Sequence, residues 1–286
     1  MDFGEQPVHG RQGQIVVPFL KWAGGKRWLT TQQPDLFPRS FDRYIEPFLG
    51  SGAVYFHLKP SIAILSDANA ELISTYVAMQ QDWRKVRNAL LRHSRNHSEE
   101  YYYEERSRKR RSPYERAAQL IYLNRTCWNG LYRVNRQGQF NVPKGTKTSV
   151  LLESDDFGTV SKLLKRAELR PSDFEATLKQ AGPGDFLFVD PPYVTRHNLN
   201  GFVKYNDKIF SWSDQERLRL ALGAAADRGA MILVTNAEHH SVRTLYSGFG
   251  KEIILSRSSV LAADSENRGS VTELAIAVNY EVRCRP

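Results

Sequence analysis

Residues 186–193, FLFVDPPY, set the tightest limit on what this chain can become. Four apolar residues without alternation read as a strand covered on both faces, since a half-buried strand alternates. Such a strand needs a central place in a sheet with helices on either side. Pro191 and Pro192 then end it, because neither has an N–H for the ladder and each holds φ near about −65°. Asp190, the two proline carbonyls and the Tyr193 ring are thereby presented at the strand's C-terminal end, where open α/β sheets bind ligands. On the tripeptide alone, a plain strand terminus with a proline turn is an equal reading.

The flanking pattern supports an α/β chain. Strands are expected at 43–46, 62–65, 168–170, 231–235, 253–256 and 273–278, alternating with helices at 52–58, 70–79, 155–166, 213–226 and 239–246. Residues 1–14 carry Gly, Gln and Pro without periodicity and are expected to form a mobile tail. The sequence LKWAGGK suggests a close-approach loop leading to a helix near Arg27; it is no phosphate loop, since the GxxxxGK spacing is missing and Arg27 follows Lys26. In PFLGSG, Gly50 and Gly52 permit a tight turn from the first strand into a helix. Asp67 ends the second strand where an acid can accept from ribose hydroxyls, although Asp67 or Asn69 as a helix cap is equally open.

Between 82 and 147 the alternation lapses. Helices are expected near 82–94 and 112–123, followed by a hairpin in GLYRVNRQGQFNVPKG turning around 136–138. The chain divides accordingly into a tail at 1–14, an α/β domain from 15–81 and 148–286, and an insert at 82–147. A polar loop at 195–210 reads as a mobile cover, and 258–269 as flexible.

The formal charge of +9 points to a polyanionic partner, and many of the basic residues fall between Arg84 and Arg116, interleaved with tyrosines. Glutamates in the same stretch leave a solvated helical face as the competing reading. No apolar run approaches the roughly 18 residues of a membrane span, and the N-terminus lacks a signal pattern, so a cytoplasmic protein is expected. Cys127 and Cys284 form no CxxC pair, which suggests neither a metal site nor a disulfide framework.

Three strand ends, at 48–52, Asp67 and 190–193, fall on one edge of a parallel sheet, which suits a nucleoside cofactor lying across it. An Asp-Pro-Pro-Tyr loop there suits a nucleobase amine. Acceptors at Asp190 and a proline carbonyl would localise the amine lone pair, while Tyr193 stacks the base.

Taken in order, LKWAGGK, IEPFLGSG, SDAN, NGLYRVNRQGQFNVP and FVDPPY resemble the Dam-like α-group, or D12 class, of DNA adenine-N6 methyltransferases, over roughly 19–280. The resemblance implies a Rossmann-like S-adenosylmethionine-dependent methyltransferase sheet with an inserted, mainly helical DNA-recognition subdomain. It implies methyl transfer to an adenine flipped out of double-stranded DNA, within GATC, by a monomer associated with the nucleoid. A cognate restriction endonuclease as partner is left open. Cofactor contacts would come from Trp22, Ala23, Lys26, Glu46, Phe48, Gly50, Gly52, Asp67, Asp173, Phe174 and Asp190. The catalytic loop would be Asp190, Pro191, Pro192 and Tyr193. DNA contacts would come from Lys21, Trp128, Asn129, Leu131, Arg133, Asn135 and Pro143, with Arg133 on a guanine edge and Leu131 and Pro143 on a thymine methyl. Trp128 stands where a tyrosine is usual in the family. Apart from the family, Leu131 and Arg133 also read as ordinary hairpin positions. Two further readings stay in play: an amino-methyltransferase for cytosine N4 or for RNA, and a catalytically silent DNA-binding protein on the same scaffold.

Overall fold

The computed structural model describes residues 15–135, 137–195, 210–258 and 270–283. The FLFV run lies in β4 (Asp185–Val189), buried at every position. Around it are β1 (Arg43–Glu46), β2 (Ala63–Asp67), β3 (Ala167–Pro171), β5 (Met231–Ala237), β6 (Lys251–Ser258) and β7 (Ser270–Val278), in the order β3-β2-β1-β4-β5-β7-β6. Strands β1 to β5 pair in parallel, and β7 enters antiparallel between β5 and β6. The α/β sheet is as expected, and the antiparallel entry of β7 makes it mixed.

Alternation along the strands divides the core. Tyr44, Leu65, Phe186, Phe188, Leu233 and Ala275 share one apolar cluster with residues of α1 (Arg27–Gln32), α2 (Ala53–Leu58), α3 (Ala70–Asn96), α5 (Pro113–Thr126) and α6 (Phe157–Leu164). Ile45, Ile64, Leu187, Val189, Ile232, Val234 and Ile276 pack instead against α7 (Phe174–Leu178), α8 (Trp212–Asp227) and α9 (His240–Leu245). Each fully buried large side chain contributes about 1.5–3 kcal/mol, so β4, covered on both faces, anchors both layers.

Some boundaries differ from expectation. The helices expected at 70–79 and 82–94 are one element, α3, which kinks at Asp82 (φ −151°, ψ 81°). An unexpected helix, α4 (Glu99–Ser107), has Tyr102 and Glu105 on its buried side. Among the described residues the expected hairpin forms no continuous strands: it pairs through the isolated bridges Val134–Phe140 and Cys127–Lys144 and a few backbone hydrogen bonds such as Asn141 N–H to the Arg133 carbonyl. The tail at 1–14, Arg136, residues 196–209, the stretch 259–269 and Cys284 lie outside the described residues.

Candidate active site at the sheet edge

Five polar residues end on the same face and edge of the sheet: Glu46 of β1, Asp67 of β2, Asp190 after β4, Thr235 of β5 and Glu273 of β7. Each follows by two-residue alternation from the apolar residues of the first cluster. Because β7 runs antiparallel and pairs Glu273 with Ala237, its N-terminal half reaches this edge.

Lys26 is drawn into the group. The turn 22–25 closes with Gly25 N–H donating to the Trp22 carbonyl at 3.0 Å, and Gly24 takes φ +77°. The chain doubles back and buries Lys26, whose Nζ lies 2.9 Å from the Gly24 carbonyl, 2.9 Å from Asp190 Oδ1 and 3.5 Å from Glu273 Oε2. The ammonium also sits 4.9 Å from the Tyr193 ring centre. Thr235 Oγ1 donates to Asp190 Oδ1 at 2.7 Å, and Tyr193 OH to Glu273 Oε2 at 2.7 Å. Burial raises the Asp190 carboxyl, and the Lys26 ammonium draws it back down. Lys26, expected among the cofactor contacts, therefore touches the Asp-Pro-Pro-Tyr loop itself. Glu273 and Thr235 were not singled out from the sequence. The available signal was a glutamate interrupting the apolar run of VTELAIAV.

Glu46 is buried and accepts the Tyr44 hydroxyl at 2.9 Å; burial holds its carboxyl well above the usual range, with the Asp190 and Asp67 charges adding. Asp67 accepts Gly50 N–H (3.1 Å) and Asn69 N–H (2.9 Å), one on each oxygen, while Asn69 Oδ1 accepts Glu71 and Leu72 N–H. Asn69 is thus the cap of α3. At Gly50 (φ +47°) a Cβ would come within 2.9 Å of Trp22 Cδ1, so only glycine lets this turn pass beside the indole. Gly52 caps α2 at φ +65°. Ala23 is exposed in the turn.

Phe48, Phe174 and Phe210 form an aromatic shelf. Phe48 and Phe174 stack at 5.5 Å, and Phe210 meets them edge-on at 5.7 and 5.8 Å. Asp173 caps α7 and is gripped by Arg217 at 3.3 Å.

The expected DNA residues border this edge. Asn124, fully buried, accepts Lys21 N–H and donates to the Lys21 and Gly130 carbonyls, tying α5 to the glycine turn and to the 128–130 turn. Trp128 and Asn129 are exposed there, Asn129 at φ +53°. Trp128 N–H donates to the Pro143 carbonyl at 2.9 Å. Arg133 is exposed, and Asn141 orients its guanidinium through Nε at 2.9 Å. Leu131 is half-buried. Asn135 is engaged in the hairpin turn, accepting Gln137 and Gln139 N–H and donating to the Gln139 side chain. Between Leu131 and Arg133, Tyr132 turns inward and stacks on Trp22 at 5.0 Å and 23°.

Lys21 lines a cavity with Arg125, Thr146, Lys147, Thr148 and Ser149. Partial desolvation, and then the neighbouring Lys147 ammonium, lower its pKa to about 8. Lys21 is charged below that value and neutral above it. Duplex affinity is therefore expected to fall between pH 7 and 9, and Lys147→Met to move the fall to higher pH; fluorescence anisotropy titrations at fixed salt check both.

A sequence profile described as D12 class N6 adenine-specific DNA methyltransferase matches residues 22–260. The chain is 36% identical over 273 residues to the Type II methyltransferase M1.LlaDCHI of Lactococcus lactis subsp. cremoris, covering 92% of this chain and 95% of that one. It is 30% identical to the DNA adenine methylase of Serratia marcescens, over 90% of this chain and 96% of that one. With the DNA adenine methylase of Escherichia coli strain K12 it shares 29% identity, over 90% and 93%.

Proposed function

The chain belongs to the D12 class of N6 adenine-specific DNA methyltransferases, and from that premise we propose that the residues at its sheet edge methylate the adenine of GATC in duplex DNA. Membership of an adenine-specific DNA class removes the support for the cytosine and RNA readings, and the intact Asp190, Tyr193, Trp22 and Asp67 speak against a catalytically silent one. Enzymes of this class depend on S-adenosylmethionine, which when bound supplies an electrophilic methyl on a cationic sulfur.

The residues fit that cofactor. Asp190 and Glu273 share the one Lys26 ammonium, and Asp67 and the buried Glu46 end on the same sheet edge, so carboxyl groups outnumber the cation there and suit a cationic ligand. Asp67, fixed by two backbone N–H groups, would hold ribose hydroxyls. Trp22 and Phe48 offer ring faces for adenine, with buried Phe174 stacked beneath Phe48, and the glycine-spaced turn at Gly50 admits the cofactor's amino-acid arm.

Asp190 and a proline carbonyl accept the two N–H groups of the target amine and localise its lone pair for attack. That pair would form the new N–C bond as the donor's methyl–sulfur bond breaks and its electrons return to sulfur; one N–H proton of the resulting ammonium would then pass to the Asp190 carboxylate or to water, so no strong base is required beforehand. Tyr193 stacks the extruded base. Lys26 restrains the Asp190 rotamer and offsets part of the upward push that burial gives its carboxyl.

The GATC reading is carried by Arg133 and Pro143, exposed on the segment that follows the Trp128–Asn129 turn, with Lys21 alongside. This reading has the protein acting as a monomer in the cytoplasm, on nucleoid DNA. Among the described residues no helix is long and apolar enough to cross a membrane. A restriction endonuclease cutting the same site is the partner expected of a self-protecting methylase.

The test is tritium transfer from labelled cofactor to duplexes carrying GATC or single-base variants of it. Each wrong base pair is expected to lower kcat/KM by about 5- to 100-fold, and Arg133→Ala to relax the guanine preference. Equal labelling of GTTC, or of unrelated adenine sites, sinks the GATC reading, and N4-methylcytosine in the digested product would contradict the family's chemistry.

A further inference from the structure

Glu273 stands outside the five motifs, yet it is 3% exposed in a strand whose neighbours on the same face are Ala275 and Ala277. A carboxyl group there is costly unless it is paired. Its Oε2 accepts the Tyr193 hydroxyl at 2.7 Å and lies 3.5 Å from Lys26 Nζ. Lys26 in turn is 2.9 Å from Asp190 Oδ1 and packs over the Tyr193 ring. Two carboxyl groups, an ammonium and a phenol thus surround one point at the sheet edge.

Pro191 and Pro192 fix the course of the loop's backbone but carry no N–H of their own, and its two functional side chains are held by other side chains: the Asp190 carboxylate by Lys26 and Thr235, the Tyr193 hydroxyl by Glu273. We propose that Glu273 is a positioning residue for methyl transfer: by holding the Tyr193 hydroxyl and sharing Lys26 with Asp190, it fixes the ring against the target base and the Asp190 carboxylate against its amine. This rests on the reading of Asp190 and Tyr193 as the catalytic loop.

The groups facing Asp190 are Lys26 from the glycine turn, Glu46 from β1, Tyr193 from its own loop, Thr235 from β5 and Glu273 from β7. Burial and the Glu273 charge raise the Asp190 carboxyl, while Lys26 and Thr235 lower it. Removing the Glu273 charge therefore makes Asp190 easier to ionise.

The experiment compares Glu273→Gln, Tyr193→Phe and their combination in the full chain, with Asp190→Ala alongside. Glu273→Gln is expected to lower kcat by about 10- to 100-fold, the scale of a small misplacement of reacting groups. KM for DNA and the Kd for S-adenosylmethionine stay within about twofold, because uniform binding is untouched. The acid limb of its kcat–pH profile moves to lower pH, which a merely structural role would not cause. The double variant is expected to be no slower than the worse single, since the two changes break one bond. Glu273→Gln is close to isosteric, so it carries the test even if Glu273→Ala fails to fold. Wild-type kcat in Glu273→Gln, or a loss that follows Tm with an unmoved pH profile, overturns the proposal. Full turnover in Asp190→Ala would overturn the catalytic-loop reading beneath it, whereas inactive Asp190→Ala beside unaffected Glu273→Gln overturns the positioning role alone.

Discussion

Asp190→Ala is expected to lower methyl transfer by about 10²- to 10⁴-fold, the range seen when a positioned electrostatic or proton-handling group is removed. The carboxylate is held by Lys26 at 2.9 Å and Thr235 at 2.7 Å, so its rotamer is fixed before substrate arrives. Binding of cofactor and DNA survives in part, because Asp67, the glycine turns and the hairpin are untouched. Lys26 keeps Glu273 as a counter-charge, which limits the loss of stability. Single-turnover kinetics with equilibrium binding on the same preparation separate these effects. Turnover at the wild-type rate would refute the mechanism. The wild-type profile carries a matching signature: Asp190 acts as the ionised acceptor and burial raises its carboxyl, so activity falls, as pH drops, sooner than an ordinary aspartate would require.

Arg125→Met is expected to cost about 3–5 kcal/mol of folding stability, the usual penalty for removing one partner of a buried ion pair. Arg125 is 3% exposed and meets both Asp155 oxygens at 2.6 Å. It also donates to the Phe19 carbonyl through Nε and Nη2, and to the Val150 carbonyl at 2.8 Å. Its loss strands a poorly hydrated carboxylate and leaves two carbonyls short of a donor. Against a total stability of about 5–15 kcal/mol for a typical domain, this is a large fraction. Urea or thermal unfolding measures it. Because most of the penalty is the unpaired Asp155, adding Asp155→Leu is expected to restore part of the stability; a double variant weaker than the single would contradict that account.

Much of this architecture can be read from the chain, for reasons that differ by element. A strand covered on both faces announces itself in FLFV, and strand ends carrying Asp67 and Asp190 follow from their place after apolar runs. The helix α4 was hidden because EEYYYEERS has no apolar period; it folds onto the insert through Tyr102 and through a buried Glu105 paired with Arg108 and Arg110. α3 was divided at a polar stretch, and the break survives only as the Asp82 kink. At the site, the meeting of Lys26 with Asp190 joins residues 164 positions apart in sequence (190 minus 26) and depends on a glycine turn folding back, which local pattern does not reveal. Glu273 was legible in principle, since a charge within a buried strand demands a partner.

The Trp22–Tyr132 stack bears on how such a methylase acquires a new target sequence. Alternation along the hairpin leaves Arg133 exposed while Tyr132 leans on the indole beside Gly50, and Asn124 binds the same two segments from beneath. A hairpin transplanted from a relative without an aromatic side chain at 132 would leave the indole without its stacking partner. Residues 19–26 and 128–144 therefore lean on one another, and grafts that carry both are the ones expected to change address without losing the methyl donor.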